Sequence, residues 1–408
     1  MRNRRGLAVL LSGLIAVASV GLLFAGVSAS SATTGTPAVS AAASSSKLLP
    51  PMPTDVSGAK VAAARAAILS ELKPTKFIAP GAKINLAKVK KSGKSIWIVS
   101  CGGGNLYCST VASATQKAGA AAGVPVKVYV ASTPTDNATG IEEATAQGAG
   151  AIALIAVDPS TVAAQLSAAH AKGIKIISLD NTNASAPPLA GTDANVTVSF
   201  TQEGQLNADY AVAKNGANVH AYCMTSPEYV VTTLFCNGFA SQLAKLCPAC
   251  TTSSSPYPVA TIPTNVPTGL EAELRANPSV NVVMCGFDYL CQYAVPAIVA
   301  AGDSSKVWAG TQTGQLSPNL AWVRQGHVQL VDVGIPNSWT GWATVDQALR
   351  LMAGRAPAPA GGGTPVKLFT HESLAAQPAS VLSSEAAVYG TNNGKLYQTV
   401  YKRLWGVK

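Results

Sequence analysis

The residues with the most chemistry to offer are eight cysteines, at 101, 108, 223, 236, 247, 250, 285 and 291. They fall into four local pairs. Cys247-Pro-Ala-Cys250 has the spacing of a redox dithiol, which needs a helix N-terminus inside a thioredoxin-like unit. Here the motif follows a helical pattern, "LFCNGFASQLAKL", and precedes a turn-rich stretch, so a structural disulfide is the better reading. Zinc would need a second pair at metal-site spacing and a supply of histidines; there are four, scattered at 170, 220, 327 and 371. An even cysteine count in an exported chain argues for disulfides. Spacing alone does not fix connectivity, but Cys101–Cys108, Cys223–Cys236, Cys247–Cys250 and Cys285–Cys291 is the simplest set. Cys101, Cys223 and Cys285 each end an apolar strand pattern ("SIWIVSC", "VHAYC", "VNVVMC"), with the partner near the start of a helix. These three read as staples across strand-to-helix loops. Closing an eight-residue loop is worth roughly 2.5 kcal/mol in the chain-entropy picture.

The first staple encloses "CGGGNLYC", residues 101–108, a glycine-rich loop between a strand and a helix. Such loops can cradle phosphate, but this one is neither GxGxxG nor GxxxxGK[ST], and it lacks the lysine. Its glycines instead let the backbone come close to a ligand or close a tight disulfide loop. No GxSxG, HExxH or obvious carboxylate pair is present, so no catalytic residue, metal or cofactor is expected and the chain is not read as an enzyme.

Compartment follows from the N-terminus. "MRNRR" is a positive n-region, "GLAVLLSGLIAVASVGLLFAGV" an apolar h-region, and "VSA" at 27–29 a small-residue cleavage site. Residues 1–29 read as a signal peptide, the alternative being an uncleaved anchor. No cysteine adjoins the site, so a lipoprotein is not expected. The net charge of +10 is concentrated near this end: residues 95–408 hold 16 Lys/Arg against 17 Asp/Glu. There is no basic stripe for nucleic acid. Residues 30–94 read as a low-complexity linker and a basic extension with one helix at 59–73, chiefly a solvated tether.

From residue 95 short apolar runs alternate with helical patterns: "SIWIVS", "VKVYVAS", "AIALIAV" and "IKIISLD", closed by "VTVSF". A second alternation follows from residue 202. That is the signature of parallel sheets covered on both faces. Doubly wound sheets place ligands at the C-terminal ends of their strands, and two of them make a cleft. The fold class is therefore α/β, with two doubly wound parallel-sheet lobes.

Several stretches carry a family resemblance: "GGGNLYCSTV", "DNATGIEEATAQGAGAIALIAVDPSTVAAQLSAAHAKGIKIISLDN", "NPSVNVVMCGFDYL" and "LVDVGIPNSWTGWATVDQALRLMAG". Over residues 95–370 the chain resembles the type I periplasmic binding proteins of the ribose/galactose type, the solute receptors of ABC importers. The extension and the cysteines fall outside the common pattern and suggest a Gram-positive exported subfamily. The resemblance implies a three-strand hinge, with crossings near 200, 336 and 366. It assigns 95–200 plus 336–366 to an N-terminal lobe and 201–335 plus 367–408 to a C-terminal lobe. It implies ligand contacts at Asn105, Tyr107, Asp180, Asn181, Phe287, Asp288, Gln312 and Trp339. Asp180 and Asp288 could instead be helix caps, Asn105 a turn former, and Trp339 core like its neighbour Trp342. The chain departs from the family in five places. Asn181 stands where an Arg is common, Phe287 where an Asn is, Gln312 where an Asp is, Ile335 near the usual Gln, and Thr233 and Phe235 where an Arg precedes "NGF".

Those departures leave no cation at the usual positions and make the pocket more apolar. The expected ligand is a small neutral sugar-like or polyol molecule, carried by a monomeric exported protein to an ABC permease in the membrane. The alternative is a ligand-sensing partner of a membrane receptor, with the same fold and no transport role.

Overall fold

Segments such as Ile-Trp-Ile-Val-Ser and Ala-Ile-Ala-Leu-Ile are apolar along their whole length, which suits a strand covered on both faces. In the computed structural model they are β1 (Ile96–Ser100) and β3 (Ala151–Ile155), buried at every position. The structure describes residues 47–51, 53, 58–73, 80–102, 105–133, 135–390 and 396–408. Residues 1–29, read above as a signal peptide, most of the linker, and Gly103 and Gly104 of the glycine-rich loop lie outside the described residues. Among the described residues no helix is long and apolar enough to cross a membrane.

The first sheet runs β2 (Val126–Val130), β1, β3, β4 (Lys175–Leu179), β5 (Ala194–Val196), all parallel. The second runs β11 (Lys367–Thr370), β10 (Gln329–Gly334), β9 (Trp308–Thr313), β8 (Val282–Cys285), β6 (His220–Thr225), β7 (Thr251–Pro256). Only β11 is antiparallel. β7 sits where the sequence showed turn-rich residues: it is an exposed edge strand, Thr-Thr-Ser-Ser-Ser-Pro, with no apolar pattern to betray it. The helix after it, Ile262–Ala276, was likewise missed, since Pro267 interrupts its pattern.

In the first sheet the strands end level. Ser100 pairs with both Val130 and Ile155, and Leu179 with both Ile155 and Val196. The residues just past β1, β3 and β4 therefore emerge at one height. α1 (Leu106–Ala122) follows β1; α2 (Phe200–Asn215) and α3 (Val230–Leu246) pack together on the second sheet. Two glycines let α2 and α3 touch: a Cβ on Gly204 would lie 2.0 Å from the Phe235 carbonyl oxygen, and one on Gly238 2.2 Å from that of Thr201.

The basic extension is not a solvated tether. Its helix Ala59–Glu71 buries Val61 and Ile68 in the second lobe's core, beside Tyr210 and Phe239. A further short helix, Leu86–Lys91, buries Leu86 and Val89 in the first lobe's core. The tail also departs from its assignment to the second lobe. It ends in a helix, Leu396–Trp405, whose Tyr397, Tyr401 and Trp405 pack into the first lobe against α4 (Asn337–Met352). Trp405 stacks on Trp342 at 5.4 Å and donates from Nε1 to Asp346 (2.8 Å). Asp346 also accepts from Arg350 Nε (2.6 Å), and Arg350 reaches the Ala82 carbonyl (3.1 Å). A buried ion pair holds only when its remaining donors are satisfied; here the extension and the tail supply those partners.

Helix propensity alone makes Gly204→Ala stabilising by about 1 kcal/mol. The backbone contact reverses the sign, and we expect a loss of about 1–3 kcal/mol. A urea titration of the variant decides it, and any gain in stability would show that α2 and α3 are not in backbone contact there.

Candidate functional site

Residues at or just past the ends of seven parallel strands line one cavity between the lobes. From the first lobe come Asn105 and Tyr107 after β1, Ala156 after β3 and Asp180 after β4. From the second come Tyr229, Val231 and Thr232 after β6, Phe287 after β8, Gln312 and Thr313 at the end of β9, and Ile335 after β10. Phe200 closes it near the first crossing. Among the described residues the non-glycine residues with left-handed φ are Ala156 (52°), Asp180 (52°) and Thr313 (121°). All three line this cavity. Such a backbone costs on the order of 1–3 kcal/mol per residue and persists only where its surroundings dictate it. Bonds to neighbouring strands do so here: Ala156 N to Leu179 O (3.1 Å), Asp180 N to Val196 O (3.0 Å), and Ile335 N to Thr313 O (3.1 Å).

Asn105 does two things. Its Oδ1 accepts from Tyr107 N (3.0 Å), which caps α1. Its side chain also meets the Tyr229 hydroxyl of the other lobe. The Tyr107 hydroxyl donates to Asp180 Oδ2. Burial pushes the Asp180 carboxyl up to about 8, against a smaller opposing pull from the Thr197 hydroxyl. Burial and then the charge of Glu228 push the Tyr229 phenol up to about 12. Gln312 Nε2 donates to the Gly286 carbonyl (2.7 Å), while its Oε1 accepts from Thr313 (3.3 Å). Phe287 meets Tyr229 edge to face at 5.5 Å. The site thus offers a neutral acid, two phenols, two amides and apolar faces, with no Lys or Arg in its lining.

Three expected ligand contacts lie elsewhere. Asn181 turns inward, its Nδ2 donating to the Val157 carbonyl (3.0 Å) and the Ser178 hydroxyl (2.9 Å), so it fixes the loop. Asp288 is fully buried beneath the site. Its Oδ2 accepts from Gln315 N (2.7 Å), while Asp332 Oδ1 accepts from Gly314 N (3.1 Å). The two acids hold the turn that follows Gln312 and Thr313. Burial, and then the charge of Asp332, hold the Asp288 carboxyl well above the usual range. Burial brings Asp332 to about 7. Burial, and then Asp180 and Asp332 nearby, hold the Glu203 carboxyl well above the usual range as well. Trp339 is core: it stacks on Tyr397 at 5.1 Å inside the first lobe, because the tail helix returns to cover it. Missed by sequence reasoning were Ala156, Phe200, Tyr229, Val231, Thr232 and Thr313. Of these, Tyr229 lies just past the strand pattern ending at Cys223, and that position was its available signal.

The cysteine sulfurs are paired as the local spacing suggested, with Cα–Cα distances of 5.7 Å (Cys101–Cys108), 6.0 Å (Cys223–Cys236), 5.4 Å (Cys247–Cys250) and 5.4 Å (Cys285–Cys291). Three of the bridges brace the strand-to-helix connections that bring Tyr107, Tyr229 and Phe287 to the cavity. A Cβ on Gly102 would lie 2.0 Å from the Ala131 carbonyl oxygen, so this glycine seats the first stapled loop against the end of β2. Among the described residues no group of His, Cys, Asp and Glu is placed to hold a metal ion.

The model of a family described as a periplasmic binding protein domain matches residues 96–356. No curated protein sequence matches the chain. Similar solved structures include a glucose-galactose binding protein from Geobacillus stearothermophilus, at 14% identity and TM-score 0.61, covering 68% of this chain and 98% of that one. An ABC transporter solute-binding protein from Mycobacterium smegmatis with bound glycerol is 18% identical, TM-score 0.61, covering 69% and 96%. A 5-methylthioribose transporter solute-binding protein from Thermotoga lettingae is 15% identical, TM-score 0.62, covering 77% and 99%. At these identities the likeness is one of fold.

Asp180 carries a pH signature. Its carboxyl ionises near 3.8 in the unfolded chain and near 8 in the folded one. Folding therefore takes up a proton between those values, and the group's ionisation subtracts stability progressively as pH rises through that window. Asp180→Asn does not titrate. The melting temperature of the variant minus that of the parent should rise from pH about 4 to pH about 8. A difference that stays flat across this range would mean that Asp180 is not held neutral.

Proposed function

Because this chain belongs to the periplasmic binding protein family, we propose that it is an extracytoplasmic solute-binding protein. It captures a small neutral sugar-like or polyol solute between its lobes and delivers it to an ABC permease. The family is one of binding proteins, not enzymes. The observation that carries the ligand class is the lining of the interlobe cavity. Neutral donors and acceptors stand beside aromatic faces, with no cation to balance an anionic solute.

The roles follow from the geometry. Tyr107 and Asp180 act as one unit, a phenol on a protonated carboxyl, able to donate to and accept from hydroxyls. Gln312, already anchored on Gly286, presents a fixed amide. Asn105 contributes from the cap of α1. Phe287 and Tyr229 offer apolar faces to the C–H side of a ring, while buried polar groups must each find a partner. The cavity measures 40 Å³, room for about three waters. A solute enters when the lobes part, and closure about the crossings seals it in. The export signal read in residues 1–29 puts this cycle outside the cytoplasm, in a monomer that needs no cofactor.

A thermal-shift series with neutral sugars, polyols, amino acids and aromatic acids tests the reading. Binding stabilises the folded chain by about 2.7 kcal/mol when the ligand is at a hundred times Kd. We expect neutral sugars or polyols to raise the melting temperature, Asp180→Ala to abolish the shift, and Tyr107→Phe to weaken binding by about tenfold. Tight binding of a charged acid with no response to any neutral solute would refute it.

A further inference from the structure

Past Ala156 and Tyr229 the interlobe space widens into a second chamber of about 440 Å³, against 40 Å³ for the inner one. The two share Ala156 and Tyr229 in their walls, so they are successive rooms of one cleft. The outer room has the size of a small-molecule pocket; the inner one does not.

The outer walls are built from both lobes. Val157 from the first, and Val259, Pro263 and Tyr289 from the second, make much of the surface apolar. Asn137 and Glu228 line the chamber, one from each lobe. Asn137 Oδ1 and Glu228 Oε2 are buried in the wall without a hydrogen-bond partner among the described residues, so a solute donor reaches them only as the lobes part. The other Glu228 oxygen accepts from Val259 N (3.1 Å), which fixes the carboxylate against the wall. No Lys or Arg lines this chamber either. The aromatic rings continue from one room to the next: Tyr229 packs on Phe287 at 5.5 Å, and Phe287 lies 6.2 Å from Tyr289.

We propose that the outer chamber is a ligand subsite and that the cleft takes an extended solute. That solute is a sugar-like head carrying an apolar substituent with its own O–H or N–H donor, the chemistry of an aryl glycoside. The head reaches Tyr107, Asp180 and Gln312. The substituent lies among Val157, Val259, Pro263 and Tyr289, and its donor satisfies Asn137 or Glu228.

This proposal rests on the cleft being a site for sugar-like solutes, and the test separates the two. Calorimetric titration of the full chain would use D-glucose, D-galactose and D-ribose, with the methyl, phenyl and 4-hydroxyphenyl glycosides of each in both anomers. For at least one sugar, the phenyl glycoside should bind at least about tenfold more tightly than the methyl glycoside, the gain from burying a ring in an apolar pocket. The 4-hydroxyphenyl glycoside should bind more tightly still, and Glu228→Ala or Asn137→Ala should erase that last increment. Ala260→Trp, at an exposed position on the chamber wall, should cut phenyl-glycoside affinity to the methyl-glycoside level and leave methyl glycosides unchanged. If sugars or methyl glycosides bind and no phenyl counterpart binds more tightly, the subsite is overturned and the solute-binding reading stands. If no member of the series binds, the subsite is overturned, and the solute-binding reading is decided by the thermal-shift series.

Discussion

The level ending of the parallel strands is the constraint on which the rest of this molecule depends. Because Ser100, Ile155 and Leu179 are in register, the chain must turn at the same height after each of β1, β3 and β4. The side chains that follow are delivered to one place. The second sheet does the same from the other side, with Met284 opposite Cys223 and Gly310, and Gln312 opposite Val333. Parallel ladders are covered by helices on both faces, so the strand ends are what remains for a ligand to reach. Left-handed Ala156, Asp180 and Thr313 are a consequence: the ladder continues one bond past the strand while the chain turns away.

Two devices keep those turns rigid. Disulfides tie β1 to α1, β6 to α3, and β8 to the helix that follows it, so the walls that carry Tyr107, Tyr229 and Phe287 are each stapled within a few residues of the cavity-facing side chain. Beneath the second-lobe wall, Asp288 and Asp332 hold the backbone of Gly314 and Gln315, with buried Glu203 close by. Groups held in place before binding lose less freedom on binding. The deep burial of these carboxyls is the counterpart: desolvation raises all three above the usual carboxylate range.

The extension and the tail change how the lobes are built. Each places a helix or its end on the first lobe. There, Ile84 N donates to Leu404 O (2.8 Å) and Arg350 ties Ala82 to Asp346. The extension also sets Val61 and Ile68 into the second lobe. Segments that sequence composition marks as basic and irregular are therefore part of both cores, and the aromatic stack of Trp339, Trp342, Tyr397 and Trp405 closes the first.

Periodicity by itself determined the larger part of this protein: the alternation of strands and helices and the two sheets; the family resemblance then singled out Asn105, Tyr107, Asp180, Phe287 and Gln312 at or past strand ends. Those features are local, since an apolar run and the turn after it are contiguous in the chain. The cysteine pairs were legible for the same reason, their partners lying 3 to 13 residues apart. Tertiary structure decided the rest. Whether an Asp past a strand faces the cavity, as Asp180 does, or a buried turn, as Asp288 does, depends on what lies opposite. For Asp288 that is Asp332, 44 residues on. Trp339 became core because a helix beginning 57 residues later covers it. Tyr229 and the outer chamber exist only where two lobes meet. A sequence pattern records which way a residue faces within its own element; what it meets there is set by parts of the chain brought together only by folding.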